Sequence, residues 1–291
     1  MKITKAVITA AGKGQRNLPL QTLIDRDGQQ KSVLTIILDE VVRAGVKDIC
    51  IVVHPDDKSA FYSVAGEHVR YLTFVEQEEP KGYGHAILCA KDFVRGEPFL
   101  HLIGDHLFLS ATQKGCAQRV VELAEAESCA VSAVQATREV FLANYGAVSG
   151  KRVQGRNDLY VVDRVIEKPT PTEAEQSLIV PGLRAGFYLC FFGIHVLTPT
   201  VMEILESKMH DNNDKDTQSI TLSTALQELT KREKYLALEM NDHRYNIGVK
   251  YGLLNAQLAF ALSGKERDQV ISMLMEILLL REQRSGERNT R

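Results

Sequence analysis

The sequence has no marked excess of charge. Its 35 lysines and arginines stand against 37 aspartates and glutamates, a formal net charge of −2. Such balance carries no electrostatic footprint for a nucleic acid or an anionic membrane surface, so neither partner is expected. No run of about 18 uncharged apolar residues occurs, which argues against a membrane span. The longest apolar stretch, Phe187 to Leu197, suits a buried strand instead. The opening MKITKAVIT lacks the apolar region of a signal peptide. Cysteine is sparse and unpaired: Cys50, Cys89, Cys116, Cys129 and Cys190 are odd in number, show no C-x-x-C, and read as buried free thiols. A reducing cytoplasm is the expected compartment. There is no internal repeat and no low-complexity linker.

What is present is an ordinary globular composition, 44% hydrophobic and 25% charged over 291 residues, enough for one large α/β domain. Short β-rich runs alternate with helical patterns across the first 135 residues. KAVITAA (5–11) reads as a buried strand. Ser32 is placed to cap a helix whose Val33, Ile36, Ile37, Val41 and Val42 share a face, with Gly45 at its end. Strands follow at 48–53, 69–75 and 99–105, a short helix at Gly84–Val94, another near 114–127, and a strand at 129–135. After residue 140 strands dominate (145–149, 159–166, 185–194), then helices. This rhythm predicts an α/β fold: a mainly parallel, twisted sheet flanked by helices, with a C-terminal helical appendage. The expected division is 1–263 for the α/β domain and 264–291 for the last helix and tail.

The stretch ITAAGKGQR (8–16) runs a strand into two glycines around a lysine. Glycine-rich turns after strands commonly hold phosphate, because bare backbone N–H groups can approach an anion. Counting excludes two familiar loops. A P-loop needs glycine at position 7, which is Val7, and Ser or Thr after Lys13, where Gly14 stands. A dinucleotide fingerprint needs a third glycine at position 17, which is Asn17. What remains is A-G-x-G-x-R-x-x-P on Ala11, Gly12, Gly14, Arg16 and Pro19.

With that loop the sequence resembles the sugar-phosphate nucleotidyltransferases, and among them the bacterial uridylyltransferases that act on glucose-1-phosphate. The resemblance extends from Lys5 to about Ser263 and rests on several ordered blocks. EQEEPKGYGHAILCA (76–90) is similar to the segment that receives the nucleobase. HLIGD (101–105) is similar to the strand that ends in a metal-binding aspartate. NYGAV (144–148) and IEKP (166–169) are similar to the sugar-binding segments, and SITLSTALQEL (219–229) and RYNIGVKYGLLNAQ (244–257) to the closing helix and final active-site turn.

The resemblance implies a Rossmann-like nucleotide-diphospho-sugar transferase fold and the making of a nucleotide-sugar, UDP-glucose, from UTP and glucose-1-phosphate with Mg2+. Its chemistry needs positive charge on phosphate oxygens and in-line positioning. Ala11, Gly12 and Gly14 would contact the triphosphate, and Arg16 would neutralise the leaving pyrophosphate; alternatively Arg16 is a surface loop residue. Gln77, Gly82 and Gly84 would receive the base, or else mark a glycine-rich turn into a helix. Asp105 would bind the metal, although aspartate after a strand is also a common turn residue. Glu167, Gly146 and Gly186 would form the sugar site, and Lys168 would hold the sugar phosphate. His85 reads as a packing residue at a helix start, and His101 and His106 as structural.

Two positions depart from the family pattern. LQTLIDRDGQQKSVL (20–34) places Gln21 or Thr22 where the family has a lysine over the phosphates. Asn246 stands where the family has a second metal-binding aspartate. In one account Lys13 supplies the missing positive charge as a catalytic residue, with Lys31 able to swing in, and Asn246 coordinates through its amide oxygen. In the other, the chain is a catalytically weakened homologue that binds a nucleotide or nucleotide-sugar as a regulatory protein. The helix expected at Glu266–Arg281 carries a broad apolar face, Val270, Ile271, Leu274, Met275, Ile277, Leu278 and Leu279, which must be covered by its own domain or by a partner subunit in a homo-oligomer.

Overall fold

The computed structural model describes residues 1–12, 14, 16–211 and 220–288, the side chains of 211 and 281–288 excepted. The chain begins with strand β1 (Lys5–Thr9), enters the glycine turn, and then forms a small hairpin of β2 (Thr22–Ile24) and β3 (Gln30–Ser32). Helix α1 (Val33–Arg43) leads to β4 (Asp48–Val53), α2 (Lys58–Val64) and β5 (Leu72–Glu76). Next come α3 (Tyr83–Cys89), α4 (Lys91–Val94), β6 (Phe99–Ile103), β7 (His106–Leu109), α5 (Cys116–Glu127) and β8 (Ala130–Arg138). The second half contains β9 (Ala147–Arg152), β10 (Leu159–Ile166), α6 (Pro171–Ser177), β11 (Phe187–Leu197), α7 (Pro199–Asp211) and α8 (Leu222–Leu229). It closes with β12 (Tyr235–Glu239), β13 (His243–Asn246), α9 (Gly252–Leu262) and α10 (Arg267–Arg288).

Local chemistry explains the boundaries. The Ser32 hydroxyl accepts the Thr35 N–H at 3.0 Å and starts α1. At the other end the Gly45 N–H reaches the Val42 carbonyl at 2.9 Å. Two expectations shift. The strand expected from 69 begins at Leu72, because Gly66–Tyr71 forms a 3-10 turn around buried His68, whose Nε2 meets Asp39 Oδ1 at 2.8 Å. The helix expected over Gly84–Val94 is two, separated where the Ala90 N–H tightens onto the Ile87 carbonyl three residues back.

Nine strands form the main sheet in the order β5-β4-β1-β6-β11-β8-β12-β10-β9. The sheet is mixed, which corrects the expectation of a mainly parallel one. β5, β4, β1 and β6 pair parallel, as do β8 and β12, whereas the ladders of β11 and of β10 are antiparallel. A short turn makes β9 and β10 an antiparallel hairpin, while β11 returns through the middle of the sheet against the direction of β6 and β8 after a long excursion, so that connection fixes no single direction. The strands alternate their faces. Ala6, Ile8, Ile49, Ile51, Leu100 and Leu102 join one buried cluster beneath α1 and α5. Val7, Cys50, Val52 and Phe99 join the other, beneath α3, α7 and α8. Period-two alternation with both faces apolar yields three layers, helix on sheet on helix.

Four of the cysteines are buried and Cys89 is partly so, all of them free. Burial pushes the Cys50 thiol up to about 12 and the Cys129 and Cys190 thiols up to about 11, so these are inert packing groups. None of the described helices is long and apolar enough to cross a membrane.

Candidate functional site

From β1 the chain winds outward through β4 to β5, then returns to place β6 on the other side of β1. The connections therefore diverge between β1 and β6, and crevices form at the carboxyl ends of strands where the order reverses. A cleft of about 270 Å³ opens there. Ala11, Gly12, Gln77, Gly82 and Asp105, all singled out from the sequence, line it together with Thr9 and Tyr83. Thr9, at the end of β1, is buried in this lining beside Tyr83.

Asp105 sits just past β6 and is 6% exposed. Its Oδ1 lies 2.7 Å from His106 Nδ1, so His106 orients the carboxylate rather than merely packing beside it. Oδ2 has no partner among the described residues. Asn246 reaches this place through tertiary structure: β13 pairs antiparallel with β7, setting Asn246 opposite His106, and the Ile247 N–H donates to the Asp105 carbonyl at 3.0 Å. The Asn246 side chain, however, is turned away. Its Oδ1 accepts the Gly248 N–H at 2.8 Å, and the residue lines a second cleft with Arg244 and Tyr145. One carboxylate with one free oxygen is the donor set, and no group of three or more His, Cys, Asp or Glu poised for a metal occurs among the described residues. Such a set fits an Mg2+ that arrives with phosphate oxygens and water, which needs only one or two carboxylates.

On the opposite wall Gln77 is 5% exposed and fixed by its main-chain N–H to the Val53 carbonyl at 2.9 Å. Its amide meets the Gly82 carbonyl and His85. Gly82 takes a φ of +107°, open to glycine without strain, as the chain turns into α3. Gly84 does not line the cleft. It packs inward, where an added Cβ would fall 2.8 Å from Ile220 Cγ2 and 2.9 Å from Leu205 Cδ2, and its N–H donates to the Ile220 carbonyl at 2.7 Å. Its glycine serves helix packing, not the room for a base that the sequence suggested.

Tyr83 forms part of the floor. Its O–H donates to His101 Nε2 at 2.5 Å, because His101 Nδ1–H is committed to the Val7 carbonyl at 2.9 Å. Burial first, then the charges of Asp105 and Glu167, hold the Tyr83 phenol well up. Glu167 is tied to this wall through α8, since the Ile220 carbonyl just ahead of that helix accepts the Gly84 N–H. Glu167 Oε2 accepts the Ser223 hydroxyl of α8, and Gly146 lies against both: a Cβ there would fall 2.6 Å from Ser223 Oγ and 3.0 Å from Glu167 Oε2. Lys168 follows with φ of +46°, a left-handed conformation that is strained for a lysine and that re-aims its side chain. Gly186 belongs to another contact, its carbonyl accepting the Glu139 N–H at 3.0 Å.

The expected cations are arranged differently. Lys13 lies outside the described residues. Gly14 has φ of +82° in the turn, and the Arg16 N–H closes it onto the Gly12 carbonyl at 3.1 Å. The Arg16 guanidinium is paired with Asp57, 2.9 Å from Nη2 to Oδ1, and with Asp56 at 3.7 Å. The hydrogen bond to Asp57 raises its pKa further. Lys31 does not swing toward the cleft. It is held by Asp25 at 3.0 Å and Asp39 at 2.8 Å, on a different and larger cavity. Sequence reasoning missed Asp57, which carries no local signal, and the contacts of Thr9, His85, His106 and Ser223, which lie in or beside the blocks singled out but whose partners the local sequence does not name.

A three-layer α/β fold with a small-residue turn and a single strand-end carboxylate at its switch point defines a nucleotide-handling class of protein. More specifically, a family model described as nucleotidyl transferase matches residues 5–259, and the chain belongs to that family. It is 29% identical to the UTP–glucose-1-phosphate uridylyltransferase of Bacillus subtilis (strain 168), over 97% of this chain and 99% of that one. A Staphylococcus epidermidis enzyme of the same name is 28% identical, over 95% and 99%. Among solved structures, a UDP-glucose pyrophosphorylase complexed with UDP-glucose superposes with a TM-score of 0.72 at 22% identity, covering 89% of this chain and 98% of that one. The UDP-glucose pyrophosphorylase of Acinetobacter baumannii superposes with a TM-score of 0.73 at 24% identity, covering 94% and 99%.

Proposed function

We propose that the chain transfers a uridylyl group from UTP to glucose-1-phosphate. An oxygen of the sugar phosphate attacks the α-phosphorus, the bond to the bridging oxygen breaks, and pyrophosphate leaves. The observation that carries this reading is the convergence of Ala11, Gly12, Gln77, Gly82 and Asp105 on one cleft, with the Glu167, Ser223 and Gly146 cluster joined to its wall through α8. The uridylyltransferase names of the relatives support the choice of substrates.

In this reading the turn at Ala11, Gly12 and Gly14 offers backbone N–H groups to the triphosphate. Gln77 meets the base. Asp105, with its free Oδ2, would hold Mg2+, which when bound offsets phosphate charge and orients the oxygens; Asn246 would join it only after releasing the Gly248 N–H. Glu167 accepts hydrogen bonds from sugar hydroxyls and Lys168 holds the sugar phosphate. Arg16 leaves Asp57 for the pyrophosphate, its planar fork suiting phosphate oxygens. Lys13 is assigned the remaining positive charge on sequence grounds. The apolar residues of α10 are assigned to contact with a second copy of the chain.

The test is pyrophosphate release from a panel of nucleoside triphosphates and sugar-1-phosphates with and without Mg2+. UTP with glucose-1-phosphate and Mg2+ is expected to be fastest. Tight binding of UTP or UDP-glucose with no pyrophosphate from any pair would replace this reading by that of a nucleotide-sugar-binding regulatory protein.

A further inference from the structure

Arg16 belongs to the glycine turn but does not line the cleft, although Gly12 before it and Pro19 after it both do. Its guanidinium is drawn instead to the loop that follows β4. There the 3-10 turn Pro55–Asp57 presents two carboxylates. Asp57 Oδ1 accepts from Nη2 at 2.9 Å and Oδ2 accepts from Nε, while the exposed Asp56 stands 3.7 Å off. Two oxygens on one side of the planar fork is also how arginine meets a phosphate. Asp57 makes no other use of its carboxylate. It stands at the N-cap of α2, yet its side chain bonds none of that helix's N–H groups, and Arg16 is its one ion-pair partner among the described residues. Asp57 is 9% exposed, so its carboxylate has lost most of its water and depends on that partner.

Two anions therefore contend for one cation. We propose that Asp57 is a positioning residue that competes with the β- and γ-phosphates for Arg16, drawing the guanidinium off the cleft when they are absent and loosening the hold on the pyrophosphate half of UTP. This deepens the reading above, on which it rests. Entry of UTP moves Arg16 to the phosphate oxygens and leaves Asp57 unpaired, which takes back part of the binding free energy. After transfer, Asp57 retakes Arg16 as pyrophosphate departs. The competition touches only ligands that carry the leaving group, because Arg16 has no part in holding the α-phosphate, the base or the sugar.

Calorimetry of the full chain with UTP, and with UMP, which lacks the pyrophosphate half, tests this with Mg2+ present. Asp57→Asn keeps the shape and removes the charge. It is expected to bind UTP about fivefold more tightly than wild type, the worth of one partly exposed ion pair, with UMP affinity unchanged within about twofold. Asp56→Asn removes the same charge from an exposed neighbour that solvent screens, and should change UTP affinity by less than about twofold. UTP affinity that is unchanged or weaker in a folded Asp57→Asn protein overturns the competition. Equal tightening by Asp56→Asn, or equal tightening of UMP, overturns it too, by showing a general effect of charge. Should Asp57→Asn not fold, nitrogen-15 NMR of the wild-type Arg16 Nε–H, assigned by its loss in Arg16→Lys, decides: the signal is expected to move on saturation with UTP and to stay with UMP, and no movement with UTP overturns the inference. A wild type that binds neither nucleotide overturns the uridylyl-transfer reading as well, whereas UTP binding without the Asp57 effect overturns the competition alone.

Discussion

Gly146→Ala should damage both stability and sugar-phosphate recognition. The new methyl would sit 2.6 Å from Ser223 Oγ, 2.8 Å from Phe191 Cδ2 and 3.0 Å from Glu167 Oε2. The Phe191 ring cannot retreat easily, because the Phe191 N–H is bonded to the Gly146 carbonyl at 2.8 Å and the residue is buried in β11. Overpacking of this kind costs about 1–3 kcal/mol. The Ser223 hydroxyl can yield by rotating, but it then gives up Glu167, a loss of about 1 kcal/mol once the exposure of that carboxylate is discounted. Together these make roughly 2–4 kcal/mol, a fall in melting temperature of roughly 5–10 °C. The freed carboxylate should raise KM for glucose-1-phosphate about fivefold, since about 1 kcal/mol is worth that factor. Scanning calorimetry and pyrophosphate-release kinetics measure the two effects. Because the same hydroxyl is involved in both, adding Ser223→Ala should recover part of the stability, so that the double variant is less destabilised than the sum of the singles. An unchanged melting temperature in Gly146→Ala, or strictly additive losses, would refute the reasoning.

Three other outcomes follow from the same geometry. Gly84→Ala should lower the urea midpoint by the equivalent of about 1–3 kcal/mol through its clash with Ile220 and Leu205, while leaving the ratio of UTP to CTP affinity unchanged. His101 is held at about 4 by burial, against 6.5 for an ordinary histidine, and His195, whose ring stacks 6.0 Å away, is lowered further. The unfolded chain therefore takes up protons first, so stability should be level above pH 6.5 and fall as pH drops toward 4, by on the order of 3 kcal/mol for His101 alone; a flat midpoint across that range contradicts it. Met273, Met275, Ile277, Leu278, Leu279 and Leu280 of α10 are each more than half exposed. Ending the chain after Glu266, which keeps the Lys265 N–H on the Arg26 carbonyl, should convert a dimer or larger species to monomer in light scattering, and a monomer before truncation would remove the assignment to a second copy.

Much of the layered fold was legible locally. Continuous apolar runs give β1, β4, β6 and the almost wholly buried β11, and a serine hydroxyl starts α1; these depend on neighbours within a few positions along the chain. The glycine turn and the strand-end Asp105 are likewise local, since one follows from what a backbone can adopt and the other from where a strand stops. The mixed order of the second half of the sheet was not legible, because a strand's residues specify burial of its faces and not the direction of the strand beside it.

The sequence by itself therefore determined most of the long strands and helices of the core, and which small and acidic residues end them, but not the short hairpin strands β2, β3, β7 and β13. Only the tertiary structure decided who meets whom. It set Arg16 against Asp57, 41 positions away, and Ser223 against Glu167, 56 positions away. It turned the Asn246 amide to Gly248, bound Lys31 between two aspartates, and gave His85 to Gln77. The physical reason is range. Periodicity and turn chemistry act over one turn of backbone, while a side chain's charge and hydrogen-bond state depend on which distant elements packing brings within about 3 Å.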